Sequence, residues 1–427
     1  MWTAWHVKRL DPEARVVVLE AGRAAHGPSG RNGGFSNTMW HELALMRMRF
    51  GDDGARAVAA AALQSVGEIG AFCEENGIDA WYRPGGYLEV STAEAHDTAT
   101  ADALAASREL GELEHVRELE PSEVAERCRS PLFRGGVLFP GAATVQPARL
   151  GFGLLAKLID SGVEVFEGSE VMRLKAPSGG GVEASTASGS IRAGRAVVAI
   201  GGAAAGPRWG ARGRLTVVSS HIVLTEPVPD VLEEIGWTGG ECITDSRALV
   251  HYFRTTPDGR IAFGWGGGRI GFGSNVGGRM EVDRATIEQV RRDLLATFPQ
   301  LEGRRIDRAW GGPIDASPSH LPVIALTAGD RVATAFGYTG NGVAPSQMIG
   351  RTLASLALDR RDEASRLPLV DPSPGRVPPE PLRWIGGVAI RSALIRKERA
   401  EVEGRRPGWL ARTVSAIPER IGFHIGR

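Results

Sequence analysis

Cysteine is scarce in this chain of 427 residues, and positive charge is not in excess. The three cysteines, Cys73, Cys128 and Cys242, are odd in number and far apart, so they indicate neither a disulfide framework nor a CxxC metal site. Acidic and basic side chains number 50 each, and the resulting zero net charge argues against a general nucleic-acid binder. We therefore expect a reducing compartment, no nucleic-acid partner, no bound metal and a small-molecule substrate.

Long apolar runs are missing as well. No stretch reaches the roughly 18 consecutive apolar residues that a transmembrane helix requires. The first ten residues carry His6, Lys8 and Arg9 where a secretory signal needs its apolar stretch. These absences predict a cytoplasmic protein without a transmembrane segment.

Glycine, by contrast, is abundant. The chain has 57 glycines, about 13% of its residues against a usual value near 7%. Glycine allows positive φ angles and close approach of the backbone to a ligand, so the excess indicates a ligand of nucleotide size. The 42% hydrophobic content is that of an ordinary globular protein, and the length predicts two or three domains.

The first 20 residues are typical of a dinucleotide-binding unit. A helix-compatible stretch from Met1 to Leu10 is broken by Asp11-Pro12, and residues 15–20 then predict a strand buried on both faces. Glu20 is the last residue of this strand and stands at the position that binds an adenosine ribose, although an acid there can equally cap a turn. Counting back about 20 residues from Glu20 places the glycine fingerprint and first strand of such a unit before Met1. We therefore expect the chain as given to bind a dinucleotide more weakly than one with that strand.

Later segments predict a discontinuous first domain. The stretch RAVVAIGG, which closes on Gly201, indicates another buried parallel strand. Residues 215–308 contain strands separated by turns, which is typical of an antiparallel sheet, whereas residues 25–35 predict a loop and 92–119 mainly a helix. An apolar strand at 331–336 then leads into GYTGNG and a long helix, an order that cradles ligands.

Five separated motifs together resemble the D-amino-acid-oxidase superfamily of FAD-dependent oxidoreductases. They are VVVLEAG, SGRNGGF, RAVVAIGG, RAWGGPIDASPSHLPVIA and GYTGNGVAPSQMIGR. The SGRNGG loop and the proline-rich basic tail are similar to the branch of gamma-glutamylputrescine oxidases and aminophosphonate oxidoreductases, although the GxGxxG fingerprint is lacking. The resemblance implies an α/β chain, α+β overall, with a Rossmann-like three-layer FAD-binding domain and an interleaved antiparallel-sheet substrate domain.

The resemblance also implies domain limits and cofactor contacts. The implied domains are an FAD-binding domain of residues 1–40, 140–214 and 310–367, a substrate domain of residues 41–139 and 215–309, and a proline-rich linker with a basic tail at 368–427. The tail is expected to pack back on the body more readily than on a membrane surface. The residues implied to contact FAD are Glu20, Ser29, Gly30, Arg31, Asn32, Gly33, Gly34, Val171, Gly201, Gly340, Asn341, Gly342 and Val343. A tight surface turn at SGRNGGF and a simple helix cap at GYTGNG are the alternatives.

The implied reaction is oxidation of the C–N bond of a small amine or amino-acid-like substrate by hydride transfer to FAD, which needs positioning more than a strong base. The candidate catalytic residues are His251, Tyr252, Arg254 and Tyr338. Arg254 is able to pair with a carboxylate or phosphonate, although strand alternation equally allows it to be solvated.

Two further features concern the flavin. The cysteine that attaches flavin in related sarcosine oxidases has no counterpart at residues 310–313, so noncovalent FAD is expected. The lysine that helps oxygen react in those relatives is missing from RIAFGWG, so the electron acceptor, oxygen or a redox carrier, stays open. The alternatives to this interpretation are a nicotinamide-dependent Rossmann dehydrogenase and a truncated, non-catalytic paralogue.

Overall fold

The computed structural model describes residues 1–370 and 375–425, which form the mixture of helices and strands expected for an α/β chain that is α+β overall. The α-helices are α1 Trp2–Leu10, α2 Pro28–Arg31, α3 Leu43–Glu75, α4 Ala101–Leu110, α5 Pro121–Arg127, α6 Pro147–Asp160, α7 Pro229–Glu234, α8 Arg284–Thr297, α9 Val343–Ala357, α10 Leu382–Val402, α11 Trp409–Ser415 and α12 Ile417–Arg420. The strands are β1 Val17–Leu19, β2 Phe35–Ser36, β3 Arg83–Pro84, β4 Tyr87–Val90, β5 Arg117–Leu119, β6 Gly136–Phe139, β7 Ala143–Thr144, β8 Glu164–Phe166, β9 Arg173–Lys175, β10 Val182–Ser185, β11 Ser190–Ala193, β12 Ala196–Val198, β13 Thr216–Thr225, β14 Cys242–Asp245, β15 His251–Thr255, β16 Ile261–Trp265, β17 Ile306–Ala316, β18 Val323–Thr327 and β19 Val332–Phe336.

The N-terminal helix and strand form where the sequence predicts them. Helix α1 ends at Leu10, and the next residue, Asp11, has the extended backbone that is favoured before Pro12. Strand β1 pairs in parallel with β8 in a two-stranded sheet. The prediction that this strand is buried on both faces is wrong, because all three of its residues are only half-buried. They line a large cavity instead of packing against a neighbouring strand on that side.

A second parallel pair lies across this cavity. Strand β12 runs parallel to β19, which also pairs with β18, and these three strands form a sheet of their own. Within residues 1–370 and 375–425 no strand hydrogen-bonds to both β1 and β12. The backbone segments 16–19 and 196–199 therefore both border the same open space.

The largest sheet has eight strands in the order β17-β13-β16-β15-β14-β4-β6-β5. It joins strands from residues 41–139 to strands from 215–309, and β17 crosses the expected domain limit at 309. The sheet is antiparallel, as expected, except at one place, where β14 runs parallel to β4. Sequence reasoning also missed β14 and β5, and the helix predicted at 92–119 is restricted to α4. The predicted loop at 25–35 contains the single-turn helix α2.

Alternation along β15 separates the two faces of this sheet. Phe253 stacks on Phe263 with ring centroids 5.0 Å apart, and both are fully buried in a core that includes Trp237 and Phe298. Tyr252, one residue earlier, faces the large cavity. The same sheet thus supplies a hydrophobic core on one side and a wall of the cavity on the other.

The C-terminal segment packs on the body. The predicted helix near residues 390–402 begins earlier, at Leu382. The Arg383 Nη1 donates to the Leu215 carbonyl at 2.9 Å, and the Leu249 amide donates to Glu398 at 3.0 Å. Pro372 and Pro374 of the expected linker, and the last two residues of the tail, lie outside the described residues. In the part of the chain that the structure describes, none of the helices combines the length and the apolar character that crossing a membrane requires.

Candidate active site

One cavity of about 1720 Å³ gathers most of the predicted site residues. The predicted residues that line it are Glu20, Ser29, Arg31, Asn32, Gly33, Val171, Gly201, Tyr252, Tyr338, Gly340, Asn341, Gly342 and Val343. Some of them lie more than 300 residues apart in the sequence. The fold brings these distant segments to one cavity, as the separated motifs predicted. Gly30, Gly34, His251 and Arg254 do not line the cavity.

Glu20 fits both roles that the sequence left open. Its Oε1 accepts a hydrogen bond from the Gly22 amide at 2.8 Å, which is the turn-capping role. The same residue lines the cavity together with Val171. Because only one carboxylate oxygen caps the turn, the other can accept a hydrogen bond from a hydroxyl of a bound ligand.

The SGRNGG segment is held in shape by its own side chains and by close packing. The Asn32 side chain donates to the Ser29 carbonyl at 2.9 Å and accepts from the Gly34 amide at 2.8 Å. A Cβ at Gly30 would lie 1.9 Å from the Ala25 carbonyl oxygen. Gly30 and Gly34 therefore support the loop from behind, while the neighbouring residues face the cavity.

Arg31 is paired and only partly buried. Its Nη1 lies 2.5 Å from Glu281 Oε1, and its carbonyl accepts a hydrogen bond from the Trp310 indole at 2.8 Å. The Arg31 side chain is 36% exposed, so the ion pair with Glu281 is partly screened by water. The backbone of this residue therefore fastens the loop to β17, and its side chain is not a buried, unpaired phosphate ligand in this structure.

Arg254 is directed at the SGRNGG loop and not at the cavity. Its Nε donates to the Gly33 carbonyl at 2.5 Å, and its Nη1 donates to the Thr255 carbonyl at 3.2 Å. Burial lowers the pKa of Arg254 to about 10, which leaves the side chain charged at neutral pH. This placement differs from both sequence-based expectations, because the side chain is neither solvated nor a cavity wall.

His251 lies on the core face of the same strand. Its Nδ1 is 2.8 Å from Asp245 Oδ2 and its Nε2 is 3.1 Å from Asp293 Oδ2, while the ring stacks on Trp265. Burial lowers the pKa of His251, but the charge of Asp245 and the hydrogen bonds to both carboxylates raise it overall. Both ring nitrogens thus already have partners, and the ring is turned away from the cavity.

Tyr252 and Ser220 form a polar part of the cavity wall. The sequence predicted Tyr252 as a site residue, but sequence reasoning missed Ser220. The Tyr252 hydroxyl lies 2.5 Å from Ser220 Oγ, which donates to the Trp265 carbonyl at 2.9 Å. The Tyr252 ring packs edge-on against Phe35, and a Cβ at Gly33 would lie 3.0 Å from it. Burial raises the pKa of Tyr252 to about 12, so its hydroxyl stays protonated at neutral pH.

The turn before α9 is shaped by Asp315, a residue that sequence reasoning did not select although it lies in a quoted motif. Asp315 Oδ2 accepts from the Gly337 amide at 2.7 Å, and burial raises the pKa of this carboxyl to about 6. Tyr338 lines the cavity, and its pKa is raised by burial and then by the charge of Asp315. Gly340, at φ +91, allows the chain to turn before α9 begins at Val343.

A second missed residue is Asn37, which lines the cavity two residues after Phe35. The residue is 3% exposed, and its Oδ1 has no hydrogen-bond partner within the described residues. A buried amide oxygen without a partner is unfavourable unless a ligand or water satisfies it. At Asn37 the cavity wall is therefore suited to a polar group of a bound ligand.

Comparison with known proteins identifies the class. Residues 1–356 match the family described as FAD dependent oxidoreductase, and the chain belongs to this family. The match extends over most of the chain, so the expected α/β fold class and the dependence on FAD are confirmed.

Three relatives describe the branch more closely. The chain is 27% identical to "Probable oxidoreductase OrdL" of Rhizobium meliloti over 386 residues, which cover 89% of this chain and 84% of that protein. It is also 27% identical to gamma-glutamylputrescine oxidoreductase of Escherichia coli, over 83% of this chain and 81% of the relative. Its backbone is similar to the crystal structure of glycine oxidase from Geobacillus kaustophilus, with a TM-score of 0.69, 22% sequence identity, and 88% and 96% of the two chains covered. The predicted branch is thereby confirmed.

Proposed function

We propose that the protein oxidises the C–N bond of a small amine or amino-acid-like substrate by hydride transfer to noncovalently bound FAD. The observation that carries the proposal is that Glu20, Asn341 and Tyr252 line one continuous cavity. Bound FAD supplies a two-electron acceptor for the hydride that leaves the substrate carbon. The names of two relatives, a gamma-glutamylputrescine oxidoreductase and a glycine oxidase, support an amine-containing substrate.

The residues that would hold the cofactor come from several segments. Glu20 is suited to a ribose hydroxyl, and the backbone of residues 29–34 to the pyrophosphate, with Gly30 and Gly34 acting as supports. The N-terminus of α9 begins at Val343, directly after the cavity-lining residues Gly340 to Gly342, and directs the positive end of a helix dipole at the cavity. These roles assign residues 1–40, 140–214 and 310–367 to cofactor binding, and residues 41–139 and 215–309 to the substrate. Noncovalent attachment is supported because all three cysteines are buried and free, and none of them lines the cavity.

Substrate positioning falls to neutral hydroxyl groups. Ser220 and Tyr252 share a short hydrogen bond at the cavity wall. Because the Ser220 hydroxyl donates to the Trp265 carbonyl, the Tyr252 hydroxyl donates to Ser220, and each oxygen can still accept a hydrogen bond from an N–H of a neutral amine. Tyr338 adds a third hydroxyl-bearing side chain to the lining. We assign these residues to orienting the amine, which is the main requirement of hydride transfer. His251 and Arg254 act from behind this wall as positioning residues.

Visible absorbance and anaerobic reduction test the proposal. The protein reconstituted with FAD and desalted should keep flavin absorbance, and that absorbance should bleach when a substrate amine is added without oxygen. A panel of primary amines, secondary amines and amino acids then ranks the substrate class, and readmitted oxygen shows whether oxygen is the acceptor. A colourless protein after reconstitution would instead favour the nicotinamide-dependent or the non-catalytic alternative.

A further inference from the structure

Arg391 brings a positive charge from the C-terminal segment to the cavity wall. It lies on α10, beyond the residues that match the family, and lines the cavity with its neighbours Gly387 and Ile390. Its Nε donates to the Gly267 carbonyl at 2.8 Å, and its guanidinium carbon lies 5.8 Å from the centroid of the Trp265 ring. These contacts fix the side chain and leave the Nη groups without a carboxylate partner within the described residues.

The position of this charge is close to the polar wall. Gly267 follows Trp265, whose carbonyl accepts the hydrogen bond from Ser220, and Ser220 in turn contacts Tyr252. Trp265 and Gly267 therefore link Arg391 to the Ser220–Tyr252 hydroxyl pair, since one contacts Ser220 and the other contacts Arg391. An amine oriented by that pair would extend the rest of its chain within reach of this region of the cavity.

Positive charge in this region exceeds negative charge. The acid whose charge acts on Arg391 is Asp283, which already pairs with Arg269 at 2.9 Å and Arg279 at 2.8 Å. Burial lowers the pKa of Arg391, the charge of Arg269 lowers it further, and Asp283 opposes them. A guanidinium still remains ionised under these conditions, so an unpaired positive charge is held in a half-buried wall.

We propose that Arg391 anchors an anionic group, a carboxylate or a phosphonate, at the end of the substrate away from the oxidised amine. This inference rests on the proposed function and adds a substrate class to it. The planar guanidinium matches both oxyanions with paired hydrogen bonds, and the anion would offset the desolvation of the arginine. Because α10 carries the anchor, the C-terminal segment selects the substrate while the family region holds the cofactor.

Three amines of similar length test the anchor: gamma-aminobutyrate, aminopropylphosphonate and butylamine. Steady-state kinetics with each amine should be compared between the wild-type protein and Arg391→Ala. Loss of a charge-assisted pair predicts that KM increases roughly 10- to 100-fold for the two anionic amines and less than about twofold for butylamine. The first two probes also distinguish a carboxylate from a phosphonate preference.

Matched variants separate charge from folding. Arg396→Ala changes an exposed arginine of the same helix and should leave all three KM values unchanged. Arg391→Gln keeps a donor for the Gly267 carbonyl but no charge, so it should reproduce the loss if Arg391→Ala proves unstable. Equal changes for anionic and neutral amines would overturn the anchor.

Calorimetric binding of non-oxidisable ligands separates this inference from the proposed function. Butyrate and propylphosphonate should bind the FAD-loaded wild-type protein, and roughly tenfold or more weakly its Arg391→Ala variant, whereas butyramide should not discriminate. Such selectivity in a protein that oxidises no amine would support the anchor and contradict the oxidation. Amine oxidation combined with no binding, or with equal binding by both proteins, would support the reaction and overturn the anchor.

Discussion

Single residues in the SGRNGG loop are constrained by the backbone behind them. Gly34 has φ +78, and a Cβ built there would lie 2.0 Å from the Val145 carbonyl oxygen. Val145 also donates its amide to the Gly34 carbonyl at 2.8 Å, so the two backbones cannot separate without losing that bond. Gly27, only seven residues earlier, has no atom within 4 Å of its Cβ position.

Gly34→Ala should therefore destabilise the protein. A positive φ for a residue with a Cβ costs on the order of 1–3 kcal/mol, and the clash with the Val145 carbonyl adds to it. Gly27→Ala, the matched control, should change the free energy of unfolding by less than about 1 kcal/mol. Urea unfolding of both variants checks this, and equal losses would show that space at Gly34 is not the constraint.

A buried carboxyl group contributes a pH dependence of its own. Glu89 is 2% exposed and accepts a hydrogen bond from the Tyr87 hydroxyl at 3.1 Å. Burial, opposed by a hydrogen bond with Ser246 and assisted by the nearby charges of Glu42 and Asp245, raises its pKa to about 8. The folded state therefore binds this proton more tightly than the unfolded state, in which the pKa is near 4.5.

The wild-type protein should lose stability as the pH rises, because Glu89 resists ionisation in the folded state. Glu89→Gln, which has no group to ionise at this position, should not show this loss. The Glu89 contribution is fully present below pH 4.5 and is lost as the pH rises towards 8, at up to about 1.4 kcal/mol per pH unit. The stability of the variant relative to the wild type should grow between pH 5 and pH 8. Thermal melts across this range test it, with the exposed Glu94→Gln as control. A constant difference would mean that Glu89 is ionised throughout.

At the scale of elements, a buried carboxyl group helps to fasten α10 to the eight-stranded sheet. Glu398, 5% exposed, accepts the Leu249 amide just before β15, and burial raises its pKa to about 7. Another contact brings Glu401 Oε2 to 3.4 Å from His96 Nε2. The helix that carries Arg391 is thus held by groups near the strand that carries Tyr252.

Glu398→Ala should loosen this attachment. Loss of the acceptor for this partly buried amide costs on the order of 1 kcal/mol, so the Leu249 amide and residues 382–402 should exchange hydrogen faster. Glu398→Gln retains an acceptor oxygen and should remain close to the wild type. Hydrogen exchange read by mass spectrometry compares them, and identical protection in all three proteins would contradict the anchoring role.

For the whole molecule, the cavity between the sheets is the main place where binding can add stability. Its wall is built from segments that are distant in sequence, including β1, β12, β15 and α9. A ligand that contacts all of them binds the folded state and not the unfolded chain.

FAD should therefore raise the melting temperature. At a free concentration of about 100 times its Kd, a ligand specific for the folded state adds about 2.7 kcal/mol. NAD⁺ at the same concentration should change the melting temperature little, because the chain belongs to a family that depends on FAD. Differential scanning fluorimetry with both nucleotides measures this, and a larger shift with NAD⁺ would contradict the proposed cofactor roles.

The sequence by itself determined the class, the helix at α1, most long strands and the glycine-rich segments, because local propensities and separated motifs are written along the chain. Alternation likewise placed Tyr252 and His251 on opposite faces of one strand. Only the tertiary structure decided that Arg254 supports a loop, that β14 joins β4 in parallel, and that Arg391 reaches the cavity. Those outcomes depend on which distant backbones approach one another, and such contacts have no periodic signature in the residues that make them.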